Sequence, residues 1–282
     1  SAWTAEKHID CIIYDNGLKM RINGNEARLS LNLLKLDAQA AKYVRIRYSN
    51  HTNSEIGHLF FATYSEIGLS VTKSKTFTID HNGETVEYVL DMSENSDWNG
   101  IIKNIRFDPV GFDNSMKDSI CVIESIRIDN EMPKYDSVKH YSSSQGVNGW
   151  FYYVFDGGTT YREMNFDAAQ EKWIYPNCPG LFIDAKTQNA FEYMATVRRW
   201  VCQATGTYTI DISTDFKSNY LRYAIIIKQN QKVITAYQPS EAQKTYKITT
   251  NLEYGENINI EVNYTETTTD SISLIVHIEK VS

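Results

Sequence analysis

Apolar and polar positions alternate with a period of two along most of this chain. In Tyr43-Val44-Arg45-Ile46-Arg47-Tyr48, the residues Val44, Ile46 and Tyr48 fall on one face, Arg45 and Arg47 on the other. Val86, Tyr88, Leu90 and Met92 repeat the pattern, as do Ile126 and Ile128 around Arg127. Further on, Tyr208, Ile210 and Ile212 alternate with Thr209 and Asp211, and Ile258, Ile260 and Val262 with Asn257, Asn259 and Glu261. Ile272, Leu274, Val276 and Ile278 finish the series. Turn signals stand between these runs: Asp15-Asn16-Gly17, His81-Asn82-Gly83, Trp98-Asn99-Gly100, Gly157-Gly158 and Tyr254-Gly255. Residues 31–42 read either as a short helix or, from Leu31 to Leu36, as the end of a strand. Short strands with one wet and one dry face predict an all-β chain of antiparallel, jelly-roll-like sandwiches.

The polar, proline-containing segment Asn130-Glu131-Met132-Pro133-Lys134-Tyr135-Asp136-Ser137 predicts a boundary, with domains 1–136 and 137–282 in tandem. Composition leaves that picture standing: 42% hydrophobic and 22% charged residues are ordinary globular usage. No run approaches the roughly 18 apolar residues of a membrane-spanning helix, so no membrane insertion is expected. A net charge of −7 repels a phosphate backbone and argues against nucleic acid as a partner. The chain begins Ser1-Ala2-Trp3 with no signal-like stretch, which reads as a processed or excised piece. Cys11, Cys121, Cys178 and Cys202 lack the spacing of zinc or redox motifs. Cys11 and Cys121 fall on the first and last strands of the first half, which often neighbour each other in sandwiches. One disulfide in each half and four buried thiols are both open readings.

The distinctive feature is aromatic: 19 Tyr, 11 Phe and 5 Trp, with 13 of the Tyr and 3 of the Trp after residue 136. Rings with a polar tip suit sugar recognition, stacking on the C–H face of a pyranose and bonding its hydroxyls. In Trp150-Phe151-Tyr152-Tyr153-Val154-Phe155, alternation sets Phe151, Tyr153 and Phe155 against Trp150 and Tyr152. Phenylalanine has no polar atom needing a partner, so Phe151 and Phe155 are assigned inward and Trp150 and Tyr152 outward. Trp173-Ile174-Tyr175-Pro176-Asn177-Cys178-Pro179-Gly180 reads as a stiff loop presenting Trp173 and Tyr175. In Arg198-Arg199-Trp200, Arg198 and Trp200 share a face, where an arginine can stack on the ring or bond vicinal hydroxyls. The candidate ligand-binding set is therefore Trp150, Tyr152, Trp173, Tyr175, Arg198 and Trp200. Each has a packing alternative, as plug or core, and Trp98 reads as a cap over the first sandwich.

No cofactor is expected. Asp15-Asn16-Gly17 and Asp113-Asn114 offer oxygens for a structural calcium ion but lack the dense acidic ladder of a strong calcium loop. No H-x-H, H-E-x-x-H, G-x-S-x-G or phosphate-loop motif occurs, so no catalytic residue is assigned and a non-enzyme is expected.

Tyr43-Val44-Arg45-Ile46-Arg47, Val86-Glu87-Tyr88-Val89-Leu90-Asp91-Met92, Asp97-Trp98-Asn99-Gly100, Arg106-Phe107-Asp108-Pro109 and Ile126-Arg127-Ile128 resemble the galactose-binding-like, carbohydrate-binding-module-like sandwiches of secreted multimodular bacterial proteins. This half departs from that pattern at Tyr64-Ser65-Glu66-Ile67-Gly68, where related modules often carry a tryptophan. Ser143-Ser144-Gln145-Gly146-Val147-Asn148-Gly149-Trp150, Val197-Arg198-Arg199-Trp200 and Tyr254-Gly255-Glu256-Asn257-Ile258 resemble a second module of that class. The resemblance implies non-catalytic binding of a polysaccharide or oligosaccharide, secretion or display at the cell surface, and a place in a larger multimodular protein. Rings separated by turns suit a curved chain, which puts a starch-like α-glucan first. The alternatives are a structural or protein-interaction spacer and a carbohydrate-active enzyme, a glycosidase or lyase.

Overall fold

A computed structural model describes residues 3–14, 17–111, 118–158, 160–191, 194–216, 220–264 and 270–281. The chain divides into two compact units, Ser1–Pro133 and Lys134–Ser282. Among the described residues both are built from antiparallel strands, and the only helical turns are 3₁₀.

The first unit holds β1 (Trp3–Lys7), β2 (Ile9–Tyr14), β3 (Gly17–Ile22), β4 (Arg28–Leu31), β5 (Leu36–Asp37), β6 (Tyr43–Asn50), β7 (Ile56–Thr63), β8 (Ser74–Thr78), β9 (Thr85–Asp91), β10 (Ile101–Asp108) and β11 (Ile120–Asp129). One sheet runs β1-β4-β10-β7-β8 with β5 on β10, and the other β2-β3-β11-β6-β9. Val44, Ile46, Tyr48, Tyr88, Leu90 and Met92 are buried, as the period of two requires. Residues 31–42 form no α-helix. A single 3₁₀ turn, Ala38–Ala40, follows β5, and Asp37 caps it by accepting from the Gln39 amide at 2.9 Å. Trp98 lies edge-on to Phe61 and donates to the Ala41 carbonyl at 2.9 Å, closing one end of the core.

The second unit holds β12 (Lys134–Asp136), β13 (Trp150–Phe155), β14 (Tyr161–Glu163), β15 (Asn165–Asp167), β16 (Lys172–Tyr175), β17 (Cys178–Ile183), β18 (Thr187–Ala190) and β19 (Ala195–Val201). It continues with β20 (Gly206–Phe216), β21 (Tyr223–Gln229), β22 (Lys232–Tyr237), β23 (Gln243–Leu252), β24 (Asn257–Tyr264) and β25 (Asp270–Lys280). The larger sheet runs β15-β16-β17-β18-β25-β20-β23, with β12 paired to β25, so residues 134–136 are built into the second unit. The other sheet runs β14-β13-β19-β24-β21-β22. Between them lie Trp150, Tyr152, Trp200, Tyr208, Ile210, Ile258, Ile260, Leu274 and Val276, among others.

Residues 173–180 are not a loop. Tyr175 pairs with Cys178 across a two-residue turn at Pro176-Asn177, making β16 and β17 a hairpin. The four cysteines are free. Cys11 and Cys121 do sit near one another in the sheet, but both pair with Met20, so β3 lies between them and holds the thiols two strands apart. Of the residues that could offer oxygens to a structural calcium ion, Asp15, Asn16, Asp113 and Asn114 lie outside the described residues.

Candidate functional site on the outer face of the second sandwich

All six residues expected to hold a glycan are interior. Trp150 is 1% exposed, Tyr152 0%, Trp173 3%, Tyr175 7%, Arg198 0% and Trp200 0%. The outward assignment of Trp150 and Tyr152 is reversed: they face the core, while Phe151, Tyr153 and Phe155 are half-buried on the other side of the strand. The physical reason is that the larger rings gain more from leaving water. Trp173 Nε1 donates to the Ser142 carbonyl at 2.9 Å, Trp200 Nε1 to the Asn148 carbonyl at 3.2 Å, and the Tyr175 hydroxyl accepts from Asn177 at 3.2 Å. Tyr152 and Trp173 stack at 5.0 Å. Arg198 spends itself on Gln188 Oε1 at 2.9 Å and the Asp184 carbonyl at 2.6 Å, and burial pulls its pKa down. It ties the two sheets together and offers nothing to solvent.

The phase of β13 is set at its entrance. Gly149 has φ 82°, and a Cβ there would lie 2.5 Å from the Val201 carbonyl oxygen, so only glycine lets the chain turn this close to β19. Trp150 then enters the strand facing the core, and every later residue of β13 follows by alternation.

The opposite face of this sheet assembles a site that the sequence reading did not assign. Phe151 lies across from Arg199 on β19, and Arg199 across from Asn259 on β24, itself across from Lys228 on β21. In the next row Tyr153 opposes Val197, which opposes Glu261. Val197 and Ala195 are fully covered although they point outward, so they form the floor beneath the larger side chains. Phe151 and Tyr153 stand side by side, centroids 6.3 Å apart and planes 22° apart. Tyr161 reaches in from β14, 5.0 Å from the Phe155 ring.

Cations brace these rings. The Arg199 guanidinium lies 4.5 Å from the Tyr153 centroid and 4.6 Å from that of Tyr161, and its Nε donates to Asn259 Oδ1 at 2.6 Å. The Lys228 ammonium lies 4.3 Å from the Phe155 centroid and pairs with Glu261 Oε1 at 2.8 Å. That same carboxylate oxygen accepts from the Tyr161 hydroxyl at 2.5 Å. Burial and then the Glu261 carboxylate push the Tyr161 phenol well above its ordinary pKa. Burial raises Tyr153 too, with Arg199 pulling the other way. Glu261 is 1% exposed, and its second oxygen, Oε2, has no donor among the described residues; Asn263 Nδ2, on the same face of β24, is likewise buried without an acceptor.

The first unit has a comparable pairing that is closed. Arg106 lies 4.1 Å over Phe60 and donates twice to Asp108, at 2.8 and 2.9 Å, and Phe60 is buried. Burial lifts the Asp108 carboxyl above the usual range although Arg106 opposes it. The ring stacked on Phe60 there is the half-buried His58 imidazole, 6.0 Å away, and no second aromatic strip like that of the second unit lies beside it among the described residues. Concave depressions of about 570 Å³ near Thr207 and Glu253, and about 380 Å³ near Asp136 and His277, lie away from the ring platform. Among the described residues no three His, Cys, Asp or Glu side chains gather as metal ligands.

No protein-family model matches the chain, and no curated protein does. Among solved structures, the CBM22-1–CBM22-2 tandem domain of Paenibacillus barcinonensis Xyn10C matches at 12% identity over 99% of this chain and 93% of that one, with a TM-score of 0.31. The chain is similar to tandem carbohydrate-binding modules. The xylan-binding module CBM86 from Roseburia intestinalis matches at 10% identity over 44% of this chain and 84% of that one, with a TM-score of 0.33. A truncated AlyQ with CBM32 and alginate lyase domains matches at 11% identity over 99% of this chain and 90% of that one, with a TM-score of 0.28.

Proposed function

We propose that the chain binds polysaccharide without cleaving it, through the outer face of the β14-β13-β19-β24-β21-β22 sheet. The observation that carries this reading is the half-buried strip of Phe151, Tyr153, Phe155 and Tyr161 on the outer face of this sheet. Rings supply stacking area against the C–H faces of sugars. Arg199 and Lys228 hold the rings in place before any ligand arrives, so little side-chain entropy is lost on binding. A secreted or cell-surface setting within a larger protein goes with this role.

Rings separated by turns would suit a curved, starch-like α-glucan. The half-open rings instead lie along β13 and its neighbour β14. A soluble panel therefore includes starch, xylan and mixed-linkage β-glucan. Affinity electrophoresis is expected to show retardation by at least one of them, abolished in Phe151→Ala/Tyr153→Ala. No retardation of the folded chain by any glycan would favour the spacer reading. Release of reducing ends from the same glycans would favour the enzyme.

A further inference from the structure

Arg199 and Lys228 differ in what answers their charge. Lys228 pairs with Glu261 Oε1 at 2.8 Å and is little exposed. Arg199 has no acidic partner among the described residues. Its Nε donates to the neutral Asn259 side chain at 2.6 Å, and its guanidinium sits in the corner between the Tyr153 and Tyr161 rings, whose planes are 72° apart. Glu163 stands across from Tyr153 on β14, exposed and without an ion pair to Arg199. Arg199 is half-buried, and its terminal nitrogens, unlike Nη1 of Arg198, are not sealed from solvent.

A cation that has lost part of its water and gained no counter-ion is poised to take one. A carboxylate fits the planar fork best, because it accepts two parallel N–H bonds and cancels the charge. A sugar hydroxyl can accept from the same nitrogens but leaves the charge standing. The rings and Asn259 hold the fork in position, so little freedom is lost when those bonds form. We infer that Arg199 reads a carboxylate on the glycan, so that this face prefers polysaccharides bearing uronic acid residues to their neutral counterparts. The inference rests on the polysaccharide-binding reading and adds the substrate class. The preference runs against the chain's net charge of −7, which repels polyanions over long range. At about 0.15 M salt that repulsion decays over about 8 Å, whereas a half-buried contact is screened less.

The test is calorimetric titration of the whole chain at about 0.15 M NaCl with glucuronoxylan and polygalacturonate, each alongside its carboxyl-reduced form. Reduction puts a hydroxymethyl group in place of the carboxylate on an unchanged backbone. The acidic form of the polymer that binds is expected to be tighter than its reduced form by about tenfold or more. Arg199→Lys keeps the charge without the fork and is expected to shrink that gap to about threefold, and Arg199→Gln to remove it. Equal affinity of the wild-type chain for both forms, or binding of starch or mixed-linkage β-glucan and of no acidic polymer, overturns the inference and leaves the binding reading intact. A gap that persists in folded Arg199→Gln overturns the inference as well. Binding of none of these polymers overturns both. The wild-type comparison stands even if neither variant folds.

Discussion

A phenylalanine half-open to solvent forgoes part of its apolar burial, and at Phe155 the Lys228 ammonium 4.3 Å from the ring offsets that loss. Such cation–ring contacts contribute about 0.5–2 kcal/mol depending on desolvation, enough to hold a ring's orientation but far less than a core position. Rings in the core and rings on the outer face therefore respond differently to truncation. Trp173→Ala is expected to destabilise the second unit by about 3–5 kcal/mol, read by urea denaturation, because it empties a site filled by a stacked indole. Tyr153→Ala is expected to change stability by about 1 kcal/mol or less while weakening glycan binding about tenfold or more, read by calorimetry. Tryptophan fluorescence provides a separate check. Trp98, Trp150, Trp173 and Trp200 are buried and the half-buried Trp3 belongs to the first unit, so glycan bound to the second unit is expected to leave tryptophan emission nearly unchanged. A strong shift or quench on binding would place the sugar against an indole instead.

Among elements, β13 shows how one turn decides a face. The strand carries rings at five of its six positions, so hydrophobicity alone does not choose which three point inward. Gly149 at φ 82° and its tight approach to β19 settle the phase, and a one-residue slip would exchange the two sides. Gly149→Ala is expected to cost more than about 1 kcal/mol, measured by the shift in denaturation midpoint, since alanine resists positive φ and its Cβ would meet the Val201 carbonyl. The β16–β17 hairpin teaches the complementary lesson. Two prolines and a glycine within eight residues read as a loop, yet Pro176-Asn177 occupies only a two-residue turn and Trp173 pairs with Ile183 inside the sheet.

At the scale of the whole molecule, each unit closes its own core between two sheets. Residues 134–282 expressed alone are expected to fold and to retain the glycan affinity of the full chain, checked by circular dichroism and calorimetry; loss of binding by a folded piece would remove the site from this unit. The first unit carries a pH dependence of its own. Burial lifts the Cys121 thiol from 9.0 to about 12. A folded-state pKa raised above the unfolded value gives stability that is fully present below pH 9 and is lost as pH rises from 9 towards 12. Burial raises Tyr48 and Tyr88 in the same unit, which adds to the alkaline loss. The denaturation midpoint of residues 1–133 is therefore expected to fall above about pH 9, and Cys121 to resist thiol reagents at about pH 8 until the unit unfolds.

Alternation along Val44-Ile46-Tyr48, Tyr208-Ile210-Ile212 and Ile258-Ile260-Val262 was enough to establish antiparallel sandwiches and which residues enter the core, because side chains in a strand leave on opposite faces whatever lies around them; that the polar side of β6 and β24 is covered too, at Arg45, Asn259 and Glu261, it did not show. The same period placed Arg199 opposite Arg198 and Trp200. It could not say which side of a strand with rings on both faces meets the core, nor that Tyr161, Arg199, Lys228 and Glu261 meet. Those residues come from four strands separated by as many as 100 positions, and strand order in a sheet, which no local pattern encodes, is what brings them together.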